Sequence, residues 1–91
     1  MAAAIRDNAE HHQFELDADG STAIMLYHLE SGVITLMHTE VPPALEGRGI
    51  GSAIVRGVLD LVRARGLKVV AKCPFVAAYM KRHPEDDDLL A

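Results

Sequence analysis

Three glycines in five residues, Gly47-Arg48-Gly49-Ile50-Gly51, are the feature of this chain best suited to chemistry. Glycine has no Cβ, so a ligand can touch the backbone there. A helical pattern begins at Gly49. The first N–H groups of a helix have no partner inside it, and the macrodipole favours an anion beside them. A pyrophosphate answers both needs. Arg48 and Arg56 are placed to add charge-assisted contacts. The loop is not a P-loop, because Ser52-Ala53 follows its last glycine in place of Lys-Ser/Thr. It is not a dinucleotide fingerprint either. The third slot of that pattern holds Ser52, and the chain is too short for the second half of a doubly wound sheet. A plain tight turn into a helix would use the same glycines, so the loop alone leaves both readings open.

Cys73 is a second candidate. It lies where a strand ends and a helix starts, and the dipole there stabilises a thiolate. A small buried hydrophobe filling space is the competing role for a free cysteine. His38 and Glu40 are two residues apart, which puts them on one side of a strand, roughly 7 Å from each other. Histidine is the natural base near neutral pH. A satisfied histidine at a strand end would look the same, and Glu40 reads as a turn carboxylate rather than a base. His11-His12 has no spaced ligands nearby, so no metal is expected. The acidic run Glu85-Asp86-Asp87-Asp88 reads as solvated charge, with a weak suggestion of a basic acceptor.

The elements that must position these residues follow from pattern. Residues 1–12 read as a flexible lead-in and 13–91 as one domain. Strands are expected over 13–16, 22–29 and 33–39, separated by turns at Asp17-Ala18-Asp19-Gly20 and Ser31-Gly32. This spacing gives an antiparallel meander. Residues 33–37 are largely apolar on both faces, as expected for a strand inside a sheet. Val41-Pro42-Pro43 ends the ladder. A helix is expected over 49–65, with Ile50, Ile54, Val58, Leu61 and Val62 on one face and Ser52, Arg56, Asp60 and Arg63 away from it. Gly66 ends it. A short strand over 67–71 follows a crossover helix, so it should lie parallel to the strand over 33–39. Pro74 starts a last helix with Phe75, Val76, Tyr79 and Met80 as its apolar stripe, and Pro84 stops it.

Composition bounds the rest. The 91 residues, 49% hydrophobic and 24% charged, suit one compact domain. A single cysteine leaves no internal disulfide, which fits a reducing compartment. The formal net charge of −4 argues against nucleic acid as a partner. No membrane-spanning run and no leader are read, so cytoplasm is the default.

These residues carry a resemblance. Glu46-Gly47-Arg48-Gly49-Ile50-Gly51 resembles the acetyl-CoA pyrophosphate loop of the GNAT superfamily of N-acetyltransferases, written Q/R-x-x-G-x-G/A, with Glu46 standing for Gln or Arg. From Phe14 onward the chain is similar to the very short GNAT-like proteins. The motifs are His38-Thr39-Glu40-Val41-Pro42, the glycine loop, and Cys73-Pro74-Phe75-Val76 with Tyr79 and His83-Pro84-Glu85, in that order. Asp86 stands where an aromatic residue is usual, which bears on how the tail packs.

The resemblance implies a minimal α/β (α+β) fold, a GNAT core reduced to its cofactor half. It implies acetyl-CoA (or CoA) as cofactor, held by Val41, Glu46, Gly47, Arg48, Gly49, Ile50, Gly51, Ser52, Cys73 and Tyr79. The implied activity is acyl transfer to an amine of unknown identity, a small molecule or a peptide lysine. Such transfer needs a base for the amine and an acid for the leaving thiolate. Cys73 is then a candidate acetyl-accepting residue, His38 a candidate base, and Tyr79 a candidate acid that also lies on the apolar stripe. The helices that usually wall the acceptor site have no room here, and a homodimer is one way to complete that wall. Two other functions stay open: a non-catalytic CoA-binding module, and a partner-binding protein that has lost the cofactor. Glu46 beside an anion is the feature that suits the last.

Overall fold

Two short turns shape the sheet. Asp19 and Gly20 take φ of 48° and 79°, and Ser31 and Gly32 take 51° and 80°. Positive φ at both central residues is what a tight hairpin turn of the right twist demands. The first turn folds β2 (Gln13–Ala18) onto β3 (Ser21–Glu30), and the second folds β3 onto β4 (Val33–Glu40). The computed structural model describes residues 5–91. Ahead of β2 lies β1 (Ile5–Asn8), and after β4 come α1 (Ile50–Ala64), β5 (Lys68–Ala71) and α2 (Pro74–Arg82). The sheet order is β1-β2-β3-β4-β5. Its first four strands are antiparallel neighbours, and β5 runs parallel to β4, as a crossover helix requires. A 3-10 segment, Pro84–Leu89, closes the chain, and the Ala91 N–H donates to the Val69 carbonyl at 2.9 Å.

The expected lead-in over 1–12 is corrected. Its first four residues lie outside the described chain, and Ile5–Asn8 pairs with β2. Besides this pairing and the bonds of Arg6 and Asn8 to Glu15, Asp7 ties the strand to the rest of the fold. The Tyr27 hydroxyl donates to Asp7 at 2.7 Å, and Arg65 reaches the same carboxylate at 2.7 Å. Burial and that carboxylate push the Tyr27 phenol up to about 12. Ile5 packs where Gly57 of α1 leaves room. A Cβ on Gly57 would come within 2.4 Å of the Ile5 side chain.

The core lies on one sheet face. Phe14, Leu16, Ala23, Met25, Tyr27, Ile34, Leu36 and Val69 pack there against α1 and α2. The buried face of α1 is Ile54, Val55, Val58, Leu59 and Val62. This corrects the expected stripe, because Val55 and Leu59 are central while Ile50 and Leu61 sit at its margins. Two adjacent i, i+4 rows, not one, meet the sheet. Each such aliphatic side chain contributes about 1.5–3 kcal/mol by leaving water. Among the described residues no helix covers the other sheet face, and Met37 and Val70 stay exposed.

The acidic run is also corrected. Asp86 is only 2% exposed. Its carboxylate accepts from Arg56 at 2.7 and 3.1 Å and from Arg63 at 3.2 Å. Asp88 pairs with Arg63 at 2.6 Å, and its carbonyl accepts from Lys68. The Arg56 and Arg63 guanidinium groups hold the Asp86 carboxyl below the usual range against the opposing effect of burial. Asp86 and Asp88 therefore clamp the tail on α1, whereas Glu85 and Asp87 stay exposed as solvated charge.

Candidate functional site

Four residues of β4 extend past its last pair with β5, Leu36 with Ala71. At that point the Leu36 carbonyl accepts from both Lys72 and Cys73, at 3.1 and 2.8 Å, and the two strands part. Diverging carboxyl ends of parallel strands form the crevice where open α/β sheets take ligands.

The glycine loop closes one side of this crevice. Pro43–Leu45 makes a single 3-10 turn, in which Leu45 is buried. Gly49 is the N-cap of α1, in the left-handed region at φ 73°, and no side chain caps the helix. The first helical bond runs from the Ala53 N–H to the Gly49 carbonyl at 3.0 Å. The N–H groups of Ile50, Gly51 and Ser52 therefore have no helical acceptor. They open onto a cavity of about 280 Å³ lined by Val41, Leu45, Glu46, Gly47, Gly49, Ile50, Gly51, Ser52 and Phe75.

The cavity gathers seven of the residues named from sequence: Val41, Glu46, Gly47, Gly49, Ile50, Gly51 and Ser52. It adds Leu45 and Phe75. Arg48 points elsewhere, to Asp19 at the tip of the β2–β3 hairpin, 2.5 Å away, and both side chains are exposed. Arg56 was expected to reach an anion at this loop. Its side chain is instead turned to Asp60 and Asp86, and these partners raise its already high pKa.

Cys73 is the N-cap of α2 and is buried. Its Sγ lies 3.5 Å from the Thr39 Oγ1. Burial pushes the thiol up, but hydrogen bonding from the Thr39 hydroxyl and from the N–H groups of Val76, Phe75 and Thr39 outweighs it. The thiol sits below its ordinary value.

Thr39 reaches Cys73 because β4 contains a bulge. Tyr27 pairs with Leu36 and Leu26 with His38, leaving Met37 as an extra residue. Regular alternation from Leu36 would turn position 38 toward the helices. The bulge instead puts Thr39 on that face, opposite Met25, and sends His38 and Glu40 to the uncovered face with Leu26 and Ile24. There His38 Nε2 lies 3.2 Å from Glu40 Oε2, with both side chains exposed. His38 and Cys73 thus lie on opposite faces of the sheet. Tyr79 is buried on α2, its ring stacked on His83 at 4.0 Å with 15° between planes, and Arg82 sits 6.0 Å from its centre.

Leu45, Phe75 and Thr39 were not named as site residues from sequence. The helical period puts Phe75 on the stripe of its helix, and only its contact with Gly51 at the start of α1 places it at the cavity. Thr39 carried no signal, since a bulge belongs to a pair of strands and not to either alone.

The chain also compares with known proteins. A family model described as GCN5-related N-acetyl-transferase matches residues 13–89. Protein NATD1 of Mus musculus is 31% identical over 83 residues, covering 88% of this chain and 76% of the mouse protein. Protein NATD1 of Homo sapiens is 31% identical over the same length, covering 74% of the human protein. The solution structure of a GCN5-like protein from Staphylococcus aureus superposes with a TM-score of 0.73 at 22% identity, over 99% of this chain and 89% of that one. The shared architecture is a mixed α+β fold.

Proposed function

The chain belongs to the GCN5-related N-acetyltransferase family, and from that premise we propose that it is an acetyl-CoA-dependent N-acetyltransferase acting on an amine. One observation carries this reading: an uncapped helix N-terminus, entered through left-handed Gly49, opening on an apolar cavity beside the parting strands. The donor set fits the proposed cofactor. Free N–H groups of Ile50, Gly51 and Ser52 suit a pyrophosphate, and Val41, Leu45, Ile50 and Phe75 suit the less polar part of the same molecule. When bound, acetyl-CoA supplies an activated acetyl thioester.

The remaining roles fall to the chain's own side chains. Gly47 and Gly49 keep Cβ atoms away from the anion, and Arg48 leaves an exposed pair with Asp19 to join it. Such a pair is worth about 0–1 kcal/mol, so its release costs little. Cys73, held by Thr39 at the end of β5, is the proposed thiol beside the acyl group. His38, donating its Nε2–H to Glu40, keeps Nδ1 free as the proposed base, on the sheet face opposite Cys73. Tyr79 is the proposed proton donor for the leaving thiolate. A second copy of the chain is proposed to complete the acceptor wall, and a monomer by sedimentation in the presence of acetyl-CoA would remove that part.

One observation favours a second reading, a non-catalytic CoA-binding module: His38 and Cys73 are on opposite faces. Two experiments separate the readings. Calorimetric titration of acetyl-CoA and CoA, with Gly49→Glu as control, tests the cofactor. Micromolar binding corresponds to about 8 kcal/mol. Turnover against amine, polyamine and lysine-peptide panels then tests catalysis. Binding without product from any panel would support the module.

A further inference from the structure

The three loop glycines are glycines for different reasons. Gly47 and Gly49 take φ of 76° and 73°, and a Cβ on either would meet nothing within 4 Å. Backbone conformation and an open cavity explain them. Gly51 is different. It lies inside α1, and a Cβ there would come 2.7 Å from Phe75 Cζ and 3.1 Å from Cε2. Real carbon atoms do not pack that closely, so any side chain at 51 displaces the ring.

Phe75 is itself unusual. It lies in the first turn of α2, and its ring edge rests on the first turn of α1, yet it remains 42% exposed. The exposed part lines the cavity with Val41, Leu45 and Ile50. A ring pinned at one edge and bare over the rest is a preformed wall. Its position along the site is also defined. Phe75 is two residues from Cys73 in the chain, and its ring touches Gly51 of the anion-binding turn. A coenzyme A thioester has the same order: the sulfur, then a flexible arm with a gem-dimethyl group, then the pyrophosphate. The arm must pass the ring.

We infer that Phe75 is a specificity-determining residue that packs on the arm of coenzyme A, and that Gly51 is glycine in order to seat this ring and not to admit the ligand. The inference rests on the cofactor reading above. It deepens that reading by dividing the loop: Gly47 and Gly49 serve the anion, while Gly51 serves Phe75.

The test uses the full chain as native protein, Phe75→Ala, Phe75→Leu, Gly51→Ala and the double variant Phe75→Ala/Gly51→Ala. Calorimetry measures CoA and 3′,5′-ADP, the nucleotide half without the arm. Phe75→Ala is expected to weaken CoA about tenfold or more, and to change 3′,5′-ADP by less than about twofold. Phe75→Leu, apolar but without the ring, is expected to fall between. Gly51→Ala is expected to weaken CoA as Phe75→Ala does, and the double variant to be no worse than Phe75→Ala alone. Melting supplies a readout that needs no ligand. Gly51→Ala should lower the melting temperature of the native protein and not that of Phe75→Ala, where the space is free and alanine is the better helix former.

Additive effects of the two substitutions on melting would overturn the seating role of Gly51. Unchanged CoA affinity in Phe75→Ala, with the native protein binding well, would overturn the arm contact. Equal losses for CoA and 3′,5′-ADP would overturn it too, by putting the ring on the base. A native protein that binds neither compound would remove the cofactor reading itself, and the arm contact with it. Only in that last case is the native titration blank, so the two failures are distinguishable.

Discussion

Both ends of α1 meet charged residues, and the two ends treat them in opposite ways. At its start the helix has no capping side chain, an exposed Arg48 and open N–H groups. At its middle and in its last turn, Arg56 and Arg63 are bound to Asp86, which is buried, and Arg63 also holds Asp88. Arginine is present at both places. What differs is whether the polar groups have been satisfied by the chain. A polar group left unmatched beside a cavity costs stability and gains only when a ligand arrives, whereas matched groups fix structure. The difference is what the proposed binding role of the first region needs, and it leaves the second to hold the tail on the helix.

The largest expected effect breaks the open end. Gly49→Glu adds a Cβ at a left-handed position, costing about 1–2 kcal/mol of stability, and adds a carboxylate at the anion site. Binding of acetyl-CoA by calorimetry should fall by more than about a hundredfold, which is about 3 kcal/mol. Gly49→Asn tolerates the left-handed region and adds no charge, so it should fold better and bind better than Gly49→Glu. Equal affinity of Gly49→Glu and the native protein would mean that the two ends of α1 do not differ in function.

Next in size is the closed end. Removing one partner of a buried pair costs about 3–5 kcal/mol. The two arginines at Asp86 are 35% and 46% exposed and can regain water, so Asp86→Ala should cost about 2–3 kcal/mol in chemical denaturation. Affinity for acetyl-CoA, measured below the unfolding transition, should stay within about twofold. A loss of binding as large as the loss of stability would show that the clamp also serves the site.

The pH dependence of stability sharpens the same contrast. Hydrogen bonds from Arg6, then Asn8 and Gln13, hold the Glu15 carboxyl down to about 2, and Arg56 leads in holding Asp86 below its usual range. A lowered folded-state pKa gives stability that is complete above the unfolded carboxylate range and is lost as pH falls through the folded value. Melting temperature should therefore hold from neutral pH to the ordinary carboxylate range and then fall as pH approaches about 2. Asp86→Asn should show a shallower fall, since one of the linked protons has been removed. An unchanged acid limb in that variant would count against a charged Asp86.

Smaller effects concern the margins of the site. Thr39→Val should raise the pH at which Cys73 reacts with a small alkylating reagent, because it removes a hydrogen bond that favours the thiolate. Asp19→Ala should tighten acetyl-CoA binding by up to about fivefold, the value of freeing Arg48 from an exposed pair. Unchanged affinity would leave Arg48 as a partner of the hairpin alone.

Much of this was written in local pattern. Asp19-Gly20 and Ser31-Gly32 specify turns, because positive φ is costly for most residues and those pairs accept it. Pro42, Pro74 and Pro84 mark where a ladder ends, where a helix starts and where it stops, since proline lacks an N–H. The 3.6-residue period of 50–64 specifies a helix, and three separated motifs specify the family. Each of these depends on a residue and its near neighbours.

The tertiary structure decided everything that depends on which distant residue arrives. Four acids in a row look like solvated charge until two arginines from α1 surround Asp86. Arg56 looks free for a phosphate until that acid takes it. A histidine and a glutamate two residues apart share one side of a strand, but which side is settled only when the pairing of β3 with β4 leaves Met37 over and turns His38 out and Thr39 in. Gly51 looks like a loop glycine until the ring of Phe75 is found above it. Sequence spacing fixes torsion preferences and periodicity, which are local. Partners across the fold are chosen by the packing of the whole chain, and here those partners separate the N–H groups left open at the cavity from the side chains that brace the tail.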